Sequence, residues 1–255
     1  MTDQNAEAFG LLNTTSKLDK IEIVKSGERV GPCLNVLAPF GDHQCSIFAM
    51  MQGLNLDKSD QSSCTIFNLG TSAQVSILTV NDKKKPPIGW TKRPYFYDDT
   101  EVLVFASLNG GNVFEKLEFS DCRTENLSKL SALAENLPKT QNLDSPVFRT
   151  RFYGERHDSK VSPTLGEWKD ICKNYEPSLV FKSMIIGLID NLLENHPNRD
   201  GIKHMVFSGS VYEHNKRIIR EYIGNIYPDV KVHDVDGNAA VGAMYAAEYY
   251  ANQVI

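Results

Sequence analysis

A chain of 255 residues with 41% apolar content and a formal charge of −5 can bury a sizeable core, and it is too acidic for an affinity that rests on nucleic-acid phosphates. Its five cysteines, Cys33, Cys45, Cys64, Cys122 and Cys172, are odd in number, widely spaced and without a Cys-x-x-Cys pair, which argues against a disulfide framework or a zinc site and for a reducing, cytoplasmic setting. Residues 1–20 are polar and no later run reaches the length of a membrane span, so neither secretion nor a bilayer is expected.

The first expected strand is 34–37, which runs through Ala38-Pro39-Phe40 into a Gly41-Asp42-His43-Gln44 turn. A helix follows over 45–54, with Ile47, Phe48, Met50, Met51 and Leu54 at helical spacing and Gly53 and Asn55 at its end. Short strands rich in β-branched and aromatic residues are expected at 64–67 and 73–80, joined by a tight hairpin at Gly70-Thr71, with a third at 101–107. Asn109-Gly110-Gly111 breaks that pattern, and Asn112 is placed to cap a helix through Val113, Phe114 and Leu117. A leucine stripe at Leu127, Leu130, Leu133 and Leu137, stopped by Pro138, predicts a surface helix. The denser pattern at 178–194 predicts a long buried one. The ending alternates strand 204–207, helix 212–222, strand 230–233 and helix 238–250, whose small residues suit close helix packing. A strand-rich opening with a βαβα ending gives a mixed sheet flanked by helices. Lys83-Lys84-Lys85 and Lys92-Arg93, beside Pro86-Pro87, Gly89 and the aromatics Trp90, Tyr95, Phe96 and Tyr97, read as a solvated hairpin or loop with local aromatic packing rather than a nucleic-acid surface.

Two segments carry chemistry when taken together. A carboxylate at Asp42 can take the proton of an attacking hydroxyl, and the Asn68-Leu69-Gly70-Thr71-Ser72 turn offers backbone N–H groups and a hydroxyl to phosphate oxygens, which points to phosphoryl transfer. Alone, an Asp after Gly is an ordinary turn residue. At the junction Phe207-Ser208-Gly209-Ser210 the backbone can approach a ligand and a helix N-terminus favours an anion, although such turns also occur for packing alone. The six histidines show no His-Glu-x-x-His spacing, and Ser72, Ser208 and Ser210 sit in no Gly-x-Ser-x-Gly elbow, so metal-dependent and serine hydrolases have no anchor.

From Cys33 onward the ordered set Gly41-Asp42-His43-Gln44, Asn68-Leu69-Gly70-Thr71-Ser72, Ala106-Ser107-Leu108-Asn109-Gly110-Gly111-Asn112, Gly154-Glu155-Arg156-His157 and Gly209-Ser210 resembles the FGGY carbohydrate kinases. That resemblance implies an α/β fold of the actin-like, ribonuclease-H-like ATPase type, with ATP and Mg2+ as cofactors and a ketose such as sedoheptulose as acceptor. It implies Asp42 as catalytic base, Gly70 and Thr71 at the β- and γ-phosphates, Gly110 and Gly111 beside the nucleotide, and Gly209, Ser210 and Asn215 in the adenosine pocket. It implies neither nucleic-acid nor membrane partners, and a structural role for the Gly-Glu-Arg segment. Residues 1–52 are expected to be the remnant of an N-terminal kinase lobe with its linking helix, and 53–255 the C-terminal nucleotide-binding domain. A missing lobe would leave Ile47, Phe48 and Met51 uncovered. A non-catalytic nucleotide-binding module is the alternative reading.

Overall fold

The chain is described by a computed structural model over residues 41–80, 84–97, 99–116, 124–137, 147–148, 152–153, 168–169, 176–235 and 237–253. The strand expected at 34–37, the Gly154-Glu155-Arg156-His157 segment, Leu117, and Cys33, Cys122 and Cys172 lie outside the described residues.

Short apolar strands buried on both faces build the centre of the fold. Strands β1 (Cys64–Leu69), β2 (Ala73–Val80), β3 (Trp90–Pro94), β4 (Thr100–Ser107), β7 (His204–Ser208) and β8 (Lys231–Asp234) form a six-stranded sheet in the order β3-β4-β2-β1-β7-β8. The first four are antiparallel neighbours, with Val75 opposite Phe67 and Phe105. β7 and β8 then add parallel to β1, with Phe67 beside Phe207 and Phe207 beside Asp234. A separate two-stranded ribbon pairs β5 (Val147–Phe148) with β6 (Trp168–Lys169). Because a strand reverses its face at each residue, the inner strands β1, β2, β4 and β7 each feed two cores. Phe67, Leu69, Val75, Leu103, Phe105, Met205 and Phe207 pack on one side. Cys64, Ile66, Leu78, Val102, Val104 and Val206 pack on the other.

On the first side lie α4 (Pro177–Glu194), α5 (Ser210–Ile226) and α3 (Thr124–Glu135). Pro177 opens α4 where a missing N–H costs nothing, and Val180, Phe181, Met184, Ile185, Leu188, Ile189, Leu192 and Leu193 are all buried. The expected leucine stripe on α3 is corrected: Leu133 is 59% exposed, and the helix instead turns Ser131 and Ala134 inward. Helix geometry explains the difference, since residues three and four apart share a face and Leu130, Ser131 and Ala134 form the face against the core.

The second side is closed by α1 (Asp42–Leu54) and α6 (Ala239–Gln253). α1 ends at Asn55, whose left-handed φ of 49° closes the cap. A short α2 (Lys58–Gln61), capped by Asp57, leads into β1. The small residues of α6 allow close approach: a Cβ on Gly242 would fall 1.8 Å from Cys45 O. Ile47, Phe48 and Met51 are therefore at most 1% exposed, and the expectation that they lie uncovered is corrected. α6 covers them.

Of the solvated hairpin or loop expected around Lys92-Arg93, the structure shows the hairpin, β3 running antiparallel to β4. Residues Trp90–Pro94 are the edge strand β3, Lys92 pairs with Glu101 at 2.8 Å, and the aromatics join the two cores. Trp90 Nε1 donates to Asn195 O at 2.8 Å, Phe96 stacks on Phe48 with centroids 4.3 Å apart, and Tyr97 meets Tyr249 edge-on at 5.3 Å.

Candidate functional site

Three glycine turns meet at one end of the sheet, where β1 and β7 finish and β4 leaves. The β1–β2 turn is closed by Gly70 N–H donating to Ser72 O at 3.1 Å. The turn after β4 is pinned to it: Gly111 N–H donates to Gly70 O at 2.7 Å and Asn112 N–H to Thr71 O at 3.2 Å. Gly110 must be glycine, since a Cβ there would lie 2.5 Å from the Ser72 carbonyl carbon and 2.7 Å from Gly70 O. Gly209 has φ +96°, and its Cβ would lie 2.5 Å from Leu69 O.

The amides of Gly70, Gly110 and Gly111 are thus spent inside the protein, Gly110 N–H on Asn112 Oδ1 at 2.9 Å. These glycines act by permitting backbone to approach backbone. The helix expected to be capped by Asn112 is a 3-10 turn over Gly111–Lys116 with Asn112 inside it, its amide reaching back to Gly110 N–H and Leu108 O. A buried polar group supports this turn. Asn109 lies on Ser107 Oγ, donating from its main-chain N–H at 3.0 Å, and accepts from Tyr153 N–H at 3.0 Å.

Free donors are found at the start of α5. Its first main-chain bond is Glu213 N–H to Gly209 O, and Gly209 offers no side-chain cap. The N–H groups of Ser210, Val211 and Tyr212 have no partner within the helix, which makes this end attractive to an anion. Beside it opens a cleft of about 340 Å³ lined by Thr71, Gly111, Asn112, Phe114, Ser128, Ser131, Phe181, Ser210, Val211, His214 and Asn215. Phe114 and Phe181, 5.0 Å apart, give it an apolar wall, and serines with Asn215 and His214 give it a polar one.

Behind the cleft the first turn of α5 is clamped. Tyr212 stacks on Phe207 at 5.1 Å, which stacks on Phe67 at 4.6 Å. Tyr212 Oη donates to Asp234, and Arg220 bridges both, 2.8 Å from Asp234 Oδ2. Burial, helped by the Asp234 carboxylate, pushes the Tyr212 phenol up to about 12. Phenol and carboxylate thus hold a fixed donor and acceptor.

Of the sequence-predicted residues, Gly70, Thr71, Gly110, Gly111, Gly209, Ser210 and Asn215 come together around this cleft. Asp42 does not line it. It is exposed at the first position of α1, where its carboxylate accepts from His43 N–H at 2.7 Å. The His43 ring lies 3.2 Å from Ser76 Oγ, fixing the start of α1 against the α1/α6 side of β2. Burial, then the Arg93 charge, pulls His43 down to about 4 against the pull of Asp42, so the ring is neutral. Sequence reasoning missed Phe114, Phe181, Ser128, Ser131 and His214. All five fall within predicted helices, whose spacing marks core and surface but not a cleft.

No family model matches the chain. It is 25% identical to sedoheptulokinase from Mus musculus over 95% of its own length and 57% of that protein's. The chain is a homologue of that sedoheptulokinase at low identity. Its fold agrees: TM-scores are 0.61 with a xylulose kinase from Lactobacillus acidophilus at 16% identity and 0.62 with a Plasmodium falciparum glycerol kinase solved with ADP at 16% identity. These matches cover 83% and 86% of this kinase homologue but 41% and 43% of the solved chains. A third, xylulose kinase from Rhodospirillum rubrum, gives 0.62 at 13% identity over 87% and 43%. The mixed sheet flanked by helices is that of the sugar kinases, with their actin-like ATPase architecture. The homologue spans a little over half the length of the mouse protein and less than half of these structures.

Proposed function

We propose that the 340 Å³ cleft holds the ATP of a sugar-phosphorylating reaction whose acceptor is a ketose such as sedoheptulose. The observation that carries this reading is the convergence of three glycine turns on an uncapped helix start, in a chain homologous to sedoheptulokinase. The base would lie against Phe114 and Phe181, with Ser128, Ser131, His214 and Asn215 at its polar edges. The phosphates would take the Thr71 hydroxyl and the N–H groups of Ser210 and Val211, with Gly70, Gly110, Gly111 and Gly209 letting the turns draw together around them. Asp42 would accept the proton of the sugar hydroxyl as it attacks the γ-phosphorus, and positioning and charge neutralisation would supply most of the acceleration.

Mg2+ would be carried on the nucleotide phosphates and water, with Asp42 as the candidate carboxylate once the site is assembled. Bound there, the ion would neutralise charge on the phosphates. We read residues 1–52 as belonging to an N-terminal kinase lobe with its linking helix and 53–255 as the nucleotide-binding domain, and we place the reaction in the cytoplasm, where its product would feed the pentose phosphate pathway. Among the described residues no helix is long and apolar enough to cross a membrane.

Calorimetry with MgATP and a coupled turnover assay with and without sedoheptulose test this, alongside Asp42→Asn. Turnover that needs both the sugar and Asp42 supports the kinase. Asp42 lies apart from the cleft, and that favours a second reading, a nucleotide-binding module without catalysis; tight MgATP binding with no turnover would select it. Loss of neither ligand's binding in Gly209→Ala would sink both.

A further inference from the structure

Helix α5 is broken one turn after it starts. Asn215 has φ −132° and ψ 24°, outside the helical range, at a position only 3% exposed. A break in a buried ladder leaves polar groups that need new partners. Here side chains supply them. Asn215 Nδ2 donates to Val211 O, four residues back, at 2.8 Å. The Ser131 hydroxyl, on α3, lies 2.8 Å from both His214 O and Asn215 Oδ1. Since a carbonyl only accepts, the amide must turn its NH2 to Val211 and its oxygen to Ser131, whose single proton is shared across the break.

We propose that Ser131 and Asn215 are a positioning pair, a side-chain splice that passes control of the first turn of α5 from the body of that helix to α3. This rests on the nucleotide reading of the cleft and deepens it. A continuous helix aims its N-terminus along its own axis, whereas this first turn points where α3 holds it. Three observations support the splice. Ser131, His214 and Asn215 line the same cleft as Ser210. The uncapped start at Gly209 is little more than one turn from the break. Ser131 is 5% exposed although Lys129, Ala132 and Leu133 around it are exposed, so α3 turns a hydroxyl, not a leucine, toward α5. Ser131 acts through Asn215 and the turn it holds, in addition to its place at the polar edge of the cleft.

The test compares Ser131→Ala, Ser131→Thr and Asn215→Asp in the full chain, by amide hydrogen exchange and by MgADP calorimetry. Ser131→Ala should speed exchange across residues 210–216 about tenfold, leave β1, β2 and α4 unchanged, and weaken MgADP about tenfold, the scale of one lost buried hydrogen bond. Ser131→Thr keeps the hydroxyl and should restore both. Asn215→Asp keeps an acceptor for Ser131 but loses the donor to Val211 O, so it should reproduce the alanine signature by an independent route. Wild-type exchange in that turn, faster exchange with unchanged MgADP affinity, or no rescue by threonine would each overturn the proposal. Should the unaltered chain bind no MgADP, the nucleotide reading fails, while the exchange contrast still decides the splice.

Discussion

The two sides of the sheet are built from the same alternating strands yet end in different states. On the α1/α6 side, Phe48, Phe96, Tyr97 and Tyr249 interlock and Gly242 lets two helices touch, so the layer is closed. On the other side, α3, α4 and α5 leave a cleft, and its rim is made of tied turns and a broken helix. The contrast teaches that small residues do opposite work in the two places. Glycine on α6 removes space between elements, while glycine in the three turns gathers backbone around a space that stays open.

Substitutions at those glycines test the contrast most directly. Gly242→Ala puts a Cβ 1.8 Å from Cys45 O, and it should cost about 3 kcal/mol or more by prising α1 from α6; urea unfolding measures it, and an unchanged midpoint would refute tight closure of this layer. Gly110→Ala, whose Cβ meets the Ser72 backbone at 2.5 Å, should cost about 2 kcal/mol of stability but at least tenfold in MgATP affinity, because it separates the turns that shape the cleft. An affinity loss from Gly242→Ala as large as that from Gly110→Ala would erase the distinction between the two sides.

Acid should strain both sides alike. His43, on the α1 side, and His196, bonded to Thr65 at 3.0 Å on the α4 side, are each held at about 4, below an ordinary 6.5, chiefly by burial. The unfolded chain therefore binds these protons first. Stability is complete above pH 6.5 and falls as pH drops toward 4, by up to about 2 kcal/mol for each ring after screening. Urea midpoints measured across that range should flatten partly in His43→Gln and partly in His196→Asn. The smallest effect is expected at Met244, 52% exposed on the outer face of α6, where Met244→Ser should stay within about 0.5 kcal/mol.

Much of this arrangement is legible in the sequence because burial writes periodicity. Cys64–Leu69, Ala73–Val80 and Thr100–Ser107 are short runs rich in β-branched and aromatic residues, Pro177–Glu194 repeats at helical spacing, and the βαβα ending follows. β3 is only half legible: an edge strand needs apolar residues at few positions, and Lys92, Arg93 and Pro94 suit a hairpin or a loop equally until Trp90 is seen under Asn195. The turns Gly70-Thr71, Gly110-Gly111 and Gly209-Ser210 can be read as close approaches, but which backbone each approaches is a tertiary fact. The same holds for Ser131. A serine inside a leucine stripe looks like a solvent position, and only the break at Asn215 gives its hydroxyl two acceptors, one of them buried.

Register has a temporal side. β1 pairs with β2 through a three-residue turn, so the strands from Cys64 to Ser107 can zip together as soon as that stretch leaves the ribosome. Its other edge pairs Cys64 with His204. During synthesis the edge carrying Ile66 and Phe67 must wait for the rest of the chain, a long-range closure that slows folding and leaves a sticky strand in the open. The step that docks β7 on β1 is also the one that brings Gly209 against Leu69 O, so the glycine turns of the cleft meet in the same event that covers the open edge of β1.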